Sequence, residues 1–373
     1  MLDMTHVDTD TWAVLNAHGF GDIPFPDLAR RLAEGGFDPE RNRVQGPVEL
    51  LPAGDVSLLP LRGRSEHDRL AAIGARAISN GEVGVVVLNG GMATRFGGVA
   101  KGAAQAVDGR SFLDLKLNQV ARASNGRAPV LLMNSFATDD ATREHLATLD
   151  LGVSVRSFSQ MVSLRLTPDG ELFLGADGRP SPHATGHGDL PFSLVRSGEL
   201  ARFIERKGRW LTVSNVDNLA AGLDPAVVGL HIDSGKAMTV EVVRRDPGDA
   251  GGYPALLDGR ATILEAFRLP RGFDESLFTS FNTNTFVFDA TALAVPRELT
   301  WFAVQKNVDG RPAIQFERLV GQLADHVPTE FVLVPRDGAE SRFVPIKLPS
   351  DLTTLAAPLR AVLGAQGGLG RSA

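Results

Sequence analysis

The chain holds 373 residues, enough for two or three domains of ordinary size or one large core with an appendage. Apolar residues make up 43% and charged residues 22%, a globular balance that excludes disorder. Cys is absent, which removes disulfides, thiolate metal centres and Cys nucleophiles, and a net charge of −6 argues against a whole-protein nucleic-acid footprint. No apolar run approaches the ~18 residues of a membrane helix. The acidic start MLDMTHVDTDTW has neither the basic nor the apolar part of a signal peptide. These features predict a cytoplasmic protein without membrane or nucleic-acid partners.

Residues 1–80 read as a helical N-terminal region. DTDTWAVLNAHGF carries Asp8 or Asp10 as N-cap and Gly19 as a stop. FPDLARRLAEGGF places Pro26 in a first turn and Gly35-Gly36 at the end. A third helix starts at Ser65, repeats Leu70, Ile73 and Ala77 on one face, and ends at Asn80-Gly81. PVELLPAGDVSLLP, lying between them, is Pro-punctuated and reads as extended.

From Val83 short β-branched runs alternate with helical stretches. VGVVVL (83–88) and APVLLMNS (128–135) are apolar throughout, as strands covered on both faces should be. SFLDLKLNQVARASNG is a helix capped by Ser111, DDATREHLATLD a helix with an acidic first turn, and DPAVVGLHIDSG (224–235) and QFERLVGQLADHV (315–327) two more. VSVRSF, WLTVSNVDN, AMTVEVVRR, FNTNTFVFD and EFVLVPR supply further strands. The alternation predicts an α/β, Rossmann-like domain over 81–345, with a mostly parallel mixed sheet wrapped by helices. Residues 166–190, rich in Gly, Pro and Asp, read as an excursion near a site. A short segment, 346–373, follows, and its tail GAQGGLGRSA is expected to fray.

The strongest local signal is the loop behind VGVVVL. It holds Gly90, Gly91, Gly97, Gly98 and Gly102, interrupted by Arg95 and Lys101. Glycines let backbone N–H groups approach a polyanion, and the cations neutralise it. A loop at the carboxyl end of a parallel strand is where open α/β sheets bind ligands. The loop fits neither G-x-G-x-x-G nor G-x-x-x-x-G-K-[ST], which argues against a dinucleotide site or a P-loop. G-x-S-x-G is absent, so no hydrolase nucleophile elbow is present. His183 and His187 share no helix face and have no third ligand at suitable spacing, which disfavours zinc.

LNGGMATRF…AKG…GRSFLDLKLNQV resembles the nucleotide-binding loop of the UDP-sugar pyrophosphorylases, LNGGLGTSMG…PK…FLDL, especially that of the UTP–glucose-1-phosphate uridylyltransferases. Further blocks follow in the same order. VLLMNSFATDD is similar to LMNSFNTDE, FSQMVSLRL to FxQxxxPR, and ATGHGDLPFSLVRSGEL to PPGHGDxxxxLxxSGxL. WLTVSNVDNLAAGLDP resembles VSNIDNLGAxVDP, and TVEVVRRDPGDAGG…ATILEAFRLP resembles MEVTxKxxxDxKGG…LLExxQVP. FNTNTFVF matches FNTNNLW, and SRFVPIKLPSDL matches SRFLPVKTxSDLL.

The resemblance implies attack by a sugar-1-phosphate on the α-phosphorus of UTP with release of pyrophosphate, and it implies the roles that follow. Lys101, Arg95 and Lys347 are the catalytic cations: Lys101 at the α-phosphate, Arg95 at the outgoing phosphates, Lys347 at the substrate phosphate. Asp217 is the Mg2+ ligand. Asn89, Gly90, Gly91, Gln160 and Gly188 hold the nucleotide, with Gln160 on the uracil. His187 lies near the phosphates of the sugar substrate, and Asn218, Gly252, Glu265, Asn282 and Asn284 line the sugar pocket. Amides and a carboxylate suit hydroxyl groups, which donate and accept at once, and alternate residues of a strand put Asn282 and Asn284 on one face.

The chain departs from the family pattern at Ala93 for Gly, Ala100 for Pro, Leu164 for Pro and Thr285 for Asn. Too few residues follow SDLTTL for the C-terminal β-helix domain that eukaryotic members use in assembly, so oligomeric state stays open. The same chemistry on N-acetylglucosamine- or galactose-1-phosphate, and a non-catalytic sugar-nucleotide sensor, are the alternatives. Joint presence of Lys101, Asp217 and Lys347 speaks against the sensor.

Overall fold

A computed structural model of the chain describes residues 2–93, 98–249 and 251–369. Its centre is an eight-stranded sheet of β1 (Val56–Leu58), β2 (Val83–Leu88), β3 (Val130–Asn134), β4 (Val155–Ser159), β5 (Trp210–Asn215), β6 (Met238–Arg244), β7 (Ser280–Asp289) and β8 (Thr329–Leu333). The spatial order is β1-β8-β6-β7-β5-β2-β3-β4, parallel throughout except for β7, which runs antiparallel to both of its neighbours. The mostly parallel mixed sheet expected from the alternation is present. β2 shows why its sequence is unbrokenly apolar: Val83, Val85 and Val87 face one layer and Val86 and Leu88 the other.

The N-terminal helices are α1 (Thr9–Ala17) and α2 (Phe25–Gly35), and α3 spans Ser65–Ser79. Asp8 caps α1 by accepting from Thr11 N, and Pro26 sits in the first turn of α2. α1 and α2 bury Leu15, Phe25 and Leu32 against Leu164, Leu166 and Ile314, away from the sheet. Other parts of residues 1–80 join the larger body. β1 pairs with β8 as the sheet's edge, and Val48–Leu50 pairs with the hairpin Gly252–Leu257/Arg260–Glu265.

α4 (Phe112–Ser124), α5 (Asp139–Leu146), α6 (Leu190–Arg196), α7 (Glu199–Glu205) and α8 (Pro225–Ser234) complete the wrapping. Ser111 caps α4 by accepting from Asp114 N at 3.0 Å. α3 and α8 touch through their backbones: a Cβ on Gly74 would stand 1.9 Å from the Pro225 carbonyl oxygen, and one on Gly229 1.9 Å from that of Leu70.

Three expectations need correction. Residues 315–327 do not form a helix. They finish a strand, Arg311–Glu317, and then make a 3-10 turn, Val320–Asp325. That strand pairs with Phe302–Val308 across Asp309-Gly310, both at positive φ, the two-residue turn that Asp-Gly favours. The tail is also fastened through Leu369. After α9 (Ala356–Ala365), Gln366 donates to Ala220 O at 2.8 Å and Arg110 donates to Gly368 O at 3.0 Å; residues 370–373 lie outside the described residues. Finally, β7 does not keep its pleat between Asn282 and Asn284, as set out below.

Gly229→Ala is expected to lower stability by about 1–3 kcal/mol, because the added methyl forces two helix backbones apart. Urea denaturation of the variant beside wild type measures it.

Candidate active site

The carboxyl ends of the parallel neighbours β5, β2 and β3 lie side by side, and the residues singled out in the sequence fall beyond them in two groups. The first is the charged group. Asp217 sits in the turn after β5, and Lys101 comes in on a 3-10 turn, Lys101–Ala103, behind the glycine loop. Lys101 Nζ donates to the carbonyl of Ile346 at 2.6 Å and lies 3.9 Å from Asp217 Oδ2. The Phe112 ring lies 5.5 Å below that ammonium, so the FLDL helix start forms its apolar floor. Asp217 itself is only partly exposed. Burial pushes its carboxyl up, while Lys101, Lys116 and Lys347 pull it down. Lys347, exposed, follows the peptide that receives Lys101. Arg95 lies outside the described residues.

Residues 342–347 reach this place because they are strapped across the sheet ends. Asn218 donates to Arg342 O and accepts from Val344 N, both at 3.0 Å, and Ile346 N donates to Asp217 O at 3.0 Å. Arg342 makes two 2.6 Å bonds to the Glu241 carboxylate, both side chains being almost fully buried. Burial opposes that charge, but the Glu241 carboxylate more than offsets it and raises the guanidinium pKa. The amide of Asn218 thus holds the strap backbone through both its nitrogen and its oxygen, with the residue 1% exposed.

Lys116, which sequence reasoning passed over, is 2% exposed and donates to Ser214 Oγ at 2.8 Å and Ala221 O at 2.9 Å. These two bonds bracket the turn that carries Asp217. Burial, then repulsion from Arg342, bring its pKa down to about 7. Its only sequence signal was a Lys inside an otherwise apolar helix face, FLDLKL, where a charge is rarely idle.

The second group surrounds the glycine loop. A Cβ on Gly90 would stand 2.0 Å from Gln160 Oε1, so the absent side chain is what lets Gln160 lie there. Gln160 Nε2 donates to Gly186 O at 2.7 Å, tying this loop to GHGD. Gly91 is exposed and accepts from Lys101 N at 3.3 Å. Asn89 is fully buried, and its amide donates to Asn134 Oδ1 and Thr142 Oγ1, at 2.8 and 2.9 Å. It braces β2 against β3, and its Oδ1 is buried without a hydrogen-bond partner. Gly188 donates to Arg318 O at 2.9 Å, and a Cβ there would meet the 318–319 peptide at 2.4 Å. Asp189 and Arg318, also unforeseen, form a buried pair at 2.6 Å that pins this loop, with Arg318 packed between Phe192 and Trp301.

His187 Nδ1 accepts from Val320 N at 3.0 Å, and burial brings its pKa down to about 4. It is therefore a neutral imidazole that keeps its Nε2–H to donate. His183 is buried in the sheet Val162–Leu164/Pro182–Ala184 and bonded to the Ala184 carbonyl. Gly252 and Glu265 face each other across their hairpin, and a Cβ on Gly252 would crowd Glu265 Oε1 at 2.8 Å. Burial pushes the Glu265 carboxyl up to about 7, against the pull of Arg268.

Asn282 and Asn284 stand at a bulge. The β6–β7 register runs from Glu241↔Thr285 to Val242↔Asn282, leaving Thr283 and Asn284 unpaired. Asn284 takes φ +56°, donates from its N–H to Asn282 Oδ1 at 3.0 Å, and donates from Nδ2 to Asn215 Oδ1 at 2.9 Å. The two side chains accordingly differ in direction, unlike the expected same-face pair.

An open sheet of this order, with glycine-rich turns and lysines at its carboxyl edge, defines an α/β protein with a Rossmann-like, mostly parallel mixed sheet. Comparison with known proteins gives the family. The sequence model described as UTP–glucose-1-phosphate uridylyltransferase matches residues 65–362, so the chain belongs to that family. The UTP–glucose-1-phosphate uridylyltransferase of Saccharomyces cerevisiae is 32% identical over 296 residues, 73% of this chain and 58% of the yeast protein. That of Encephalitozoon cuniculi is 30% identical over 289 residues, 73% of this chain and 57% of its own length. The chain thus spans less than two-thirds of these relatives. A crystal structure of a UDP-glucose phosphorylase from Trypanosoma brucei is similar with TM-score 0.69 at 25% identity, covering 92% of this chain and 78% of that one. A putative UDP-N-acetylglucosamine pyrophosphorylase from Entamoeba histolytica shares the fold with TM-score 0.71 at 15% identity, covering 83% and 86%. Among the described residues no helix is long and apolar enough to cross a membrane.

Glu265 makes stability depend on pH. An unfolded Glu ionises near 4.5, so between there and about 7 the native chain binds more protons than the unfolded chain, and stability falls as pH rises. Glu265→Gln removes this share of the slope. Urea midpoints measured from about pH 4 to about pH 8 should fall more steeply for wild type than for the variant. Parallel profiles would contradict the raised carboxyl.

Proposed function

We propose that this chain transfers the uridylyl group of UTP to a sugar-1-phosphate, glucose-1-phosphate foremost, giving a UDP-sugar and pyrophosphate in the cytoplasm. The observation that carries the reading is the approach of Lys101 to Asp217, 3.9 Å apart beside the carboxyl ends of adjacent strands β2 and β5. Family membership and the names of the relatives support the choice of substrates.

In the reaction a phosphate oxygen of the sugar-1-phosphate attacks the α-phosphorus, the bond to the bridging oxygen breaks, and pyrophosphate leaves with that electron pair. A phosphate monoester with second pKa near ~6 is already dianionic at neutral pH, so the protein needs no general base. Its task is to hold two polyanions in line and neutralise developing charge. Lys101 takes the α-phosphate, Lys347 the incoming phosphate, and Arg95 the outgoing pair. The N–H groups of Gly90 and Gly91 cradle the nucleotide, Gln160 and the Gly188 backbone take the uracil, and the Nε2–H of His187 donates to the sugar phosphate. Gly252, Glu265, Asn282 and Asn284 receive the sugar.

Asp217 suits Mg2+. Among the described residues no cluster of three His, Asp or Glu side chains forms a closed cage, and one partly exposed carboxylate leaves room for waters and phosphate oxygens. When bound, Mg2+ supplies charge neutralisation and a template for the triphosphate.

Pyrophosphate release with UTP, Mg2+ and a panel of glucose-, galactose- and N-acetylglucosamine-1-phosphates tests the reading. Turnover that prefers glucose-1-phosphate is expected; nucleotide binding without turnover would instead favour a sensor. Lys101→Ala should lower turnover by about 10²–10³, as loss of a transition-state donor does, with circular dichroism unchanged. Near-normal turnover would remove Lys101 from the mechanism. Asp217→Ala should abolish the Mg2+-dependent rate, measured by Mg2+ titration.

A further inference from the structure

Arg268 ends the 3-10 turn Ala266–Arg268, which follows Glu265 directly. Three residues per turn bring position 268 back over position 265. The residue is 8% exposed, and its guanidinium finds no hydrogen-bond acceptor among the described residues, Nε being wholly buried and unpartnered. The guanidinium carbon lies over the Phe302 ring, 5.0 Å from its centroid. Burial holds its pKa below the usual arginine value, with Asp325 and Glu265 pulling the other way.

A buried cation without acceptors is costly, and a fold carries one where something else completes it. The neighbours limit what that can be. Two carboxylates, Glu265 and Asp325, act on this guanidinium, so a further anion would meet repulsion. A hydroxyl would not: its oxygen accepts from a guanidinium while its hydrogen goes to a carboxylate.

We propose that Arg268 is a specificity-determining residue for the sugar, donating to one neutral hydroxyl oxygen of the bound sugar-1-phosphate whose hydrogen is accepted by Glu265. This rests on the transfer reading above. It predicts that one ring hydroxyl is recognised by a charged donor and is worth more than the others.

The experiment is kcat/KM for the preferred sugar-1-phosphate and its monodeoxy analogues, in wild type, Arg268→Met and Arg268→Gln, with the melting temperature of each ligand-free protein. Wild type is expected to lose about 10- to 100-fold on one analogue, the span of a hydrogen bond to a charged group. In Arg268→Met the parent sugar should fall to the level of that analogue while the analogue is unchanged, so that their ratio approaches one. Arg268→Gln, which keeps a neutral donor, should give an intermediate ratio. Melting temperatures without sugar should not fall, since the group removed is an unpaired buried charge. Equal losses on every sugar, unaltered ratios, or a fall in melting temperature without a change in ratio would each overturn the proposal. Failure of wild type on every sugar-1-phosphate would overturn the transfer reading and this inference with it, an outcome distinct from turnover with unaltered ratios.

Discussion

The buried bond between Arg342 and Glu241 is the constraint from which the charged end of the site is built. Glu241 belongs to β6, inside the sheet; Arg342 belongs to a strap that would otherwise have no reason to cross it. Once the pair forms, Asn218 grips the strap at 342 and 344, and the backbone of Asp217 grips it at 346. The carbonyl of Ile346 is thereby set where Lys101 can reach it, and Lys347 follows. Removing Arg342 would leave the Glu241 carboxylate in the interior without its guanidinium, a loss of about 3–5 kcal/mol.

The site's two sides use different means of rigidity. On the side of Asp217, Lys116 and Gln119 reach from α4 to the carbonyls of Ala221 and Leu219, so that the turn around Asp217 hangs from a helix. On the side of the glycine loop, precision comes from missing atoms. Gly90 admits Gln160 and Gly188 admits the 318–319 peptide, while the Asp189–Arg318 pair keeps the second contact closed. Alanine at 93 and 100 in the intervening hairpin, Met92–Ala93 with Val99–Ala100, shows that this stretch still pairs without the family's Gly and Pro.

Much of the architecture was legible in the sequence. β2 and β3 are legible as apolar runs and β4 through β8 as short strand-forming runs, and the caps at Asp8 and Ser111 mark their helices. The misreading of 315–327 has a plain cause. The Asp309-Gly310 turn sends the chain back as a hairpin strand before residue 315, and Asp258-Gly259 makes the same positive-φ turn in the Gly252–Glu265 hairpin. The site was legible as a set of positions but not as a set of directions. The Asn218 amide bonds the strap backbone through both its oxygen and its nitrogen, and the Asn89 amide nitrogen bonds Asn134 and Thr142 while its oxygen has no partner, arrangements that depend on residues distant in the chain. The bulge at Thr283–Asn284 could not be foreseen from a two-residue period. Glu241 and Arg342 carry no signal in the sequence because they are partners 101 residues apart, and Lys116 carries only its place in an otherwise apolar helix face.

The bond from Lys101 to the Ile346 carbonyl has an evolutionary consequence. Its acceptor is a main-chain oxygen, which every amino acid carries, so drift at position 346 can alter packing but cannot delete the contact. Only one of the two ends is exposed to selection by name. Half of what aims this lysine is thus transmitted by the course of the chain, and two relatives could preserve the aim perfectly while sharing no letter at that position.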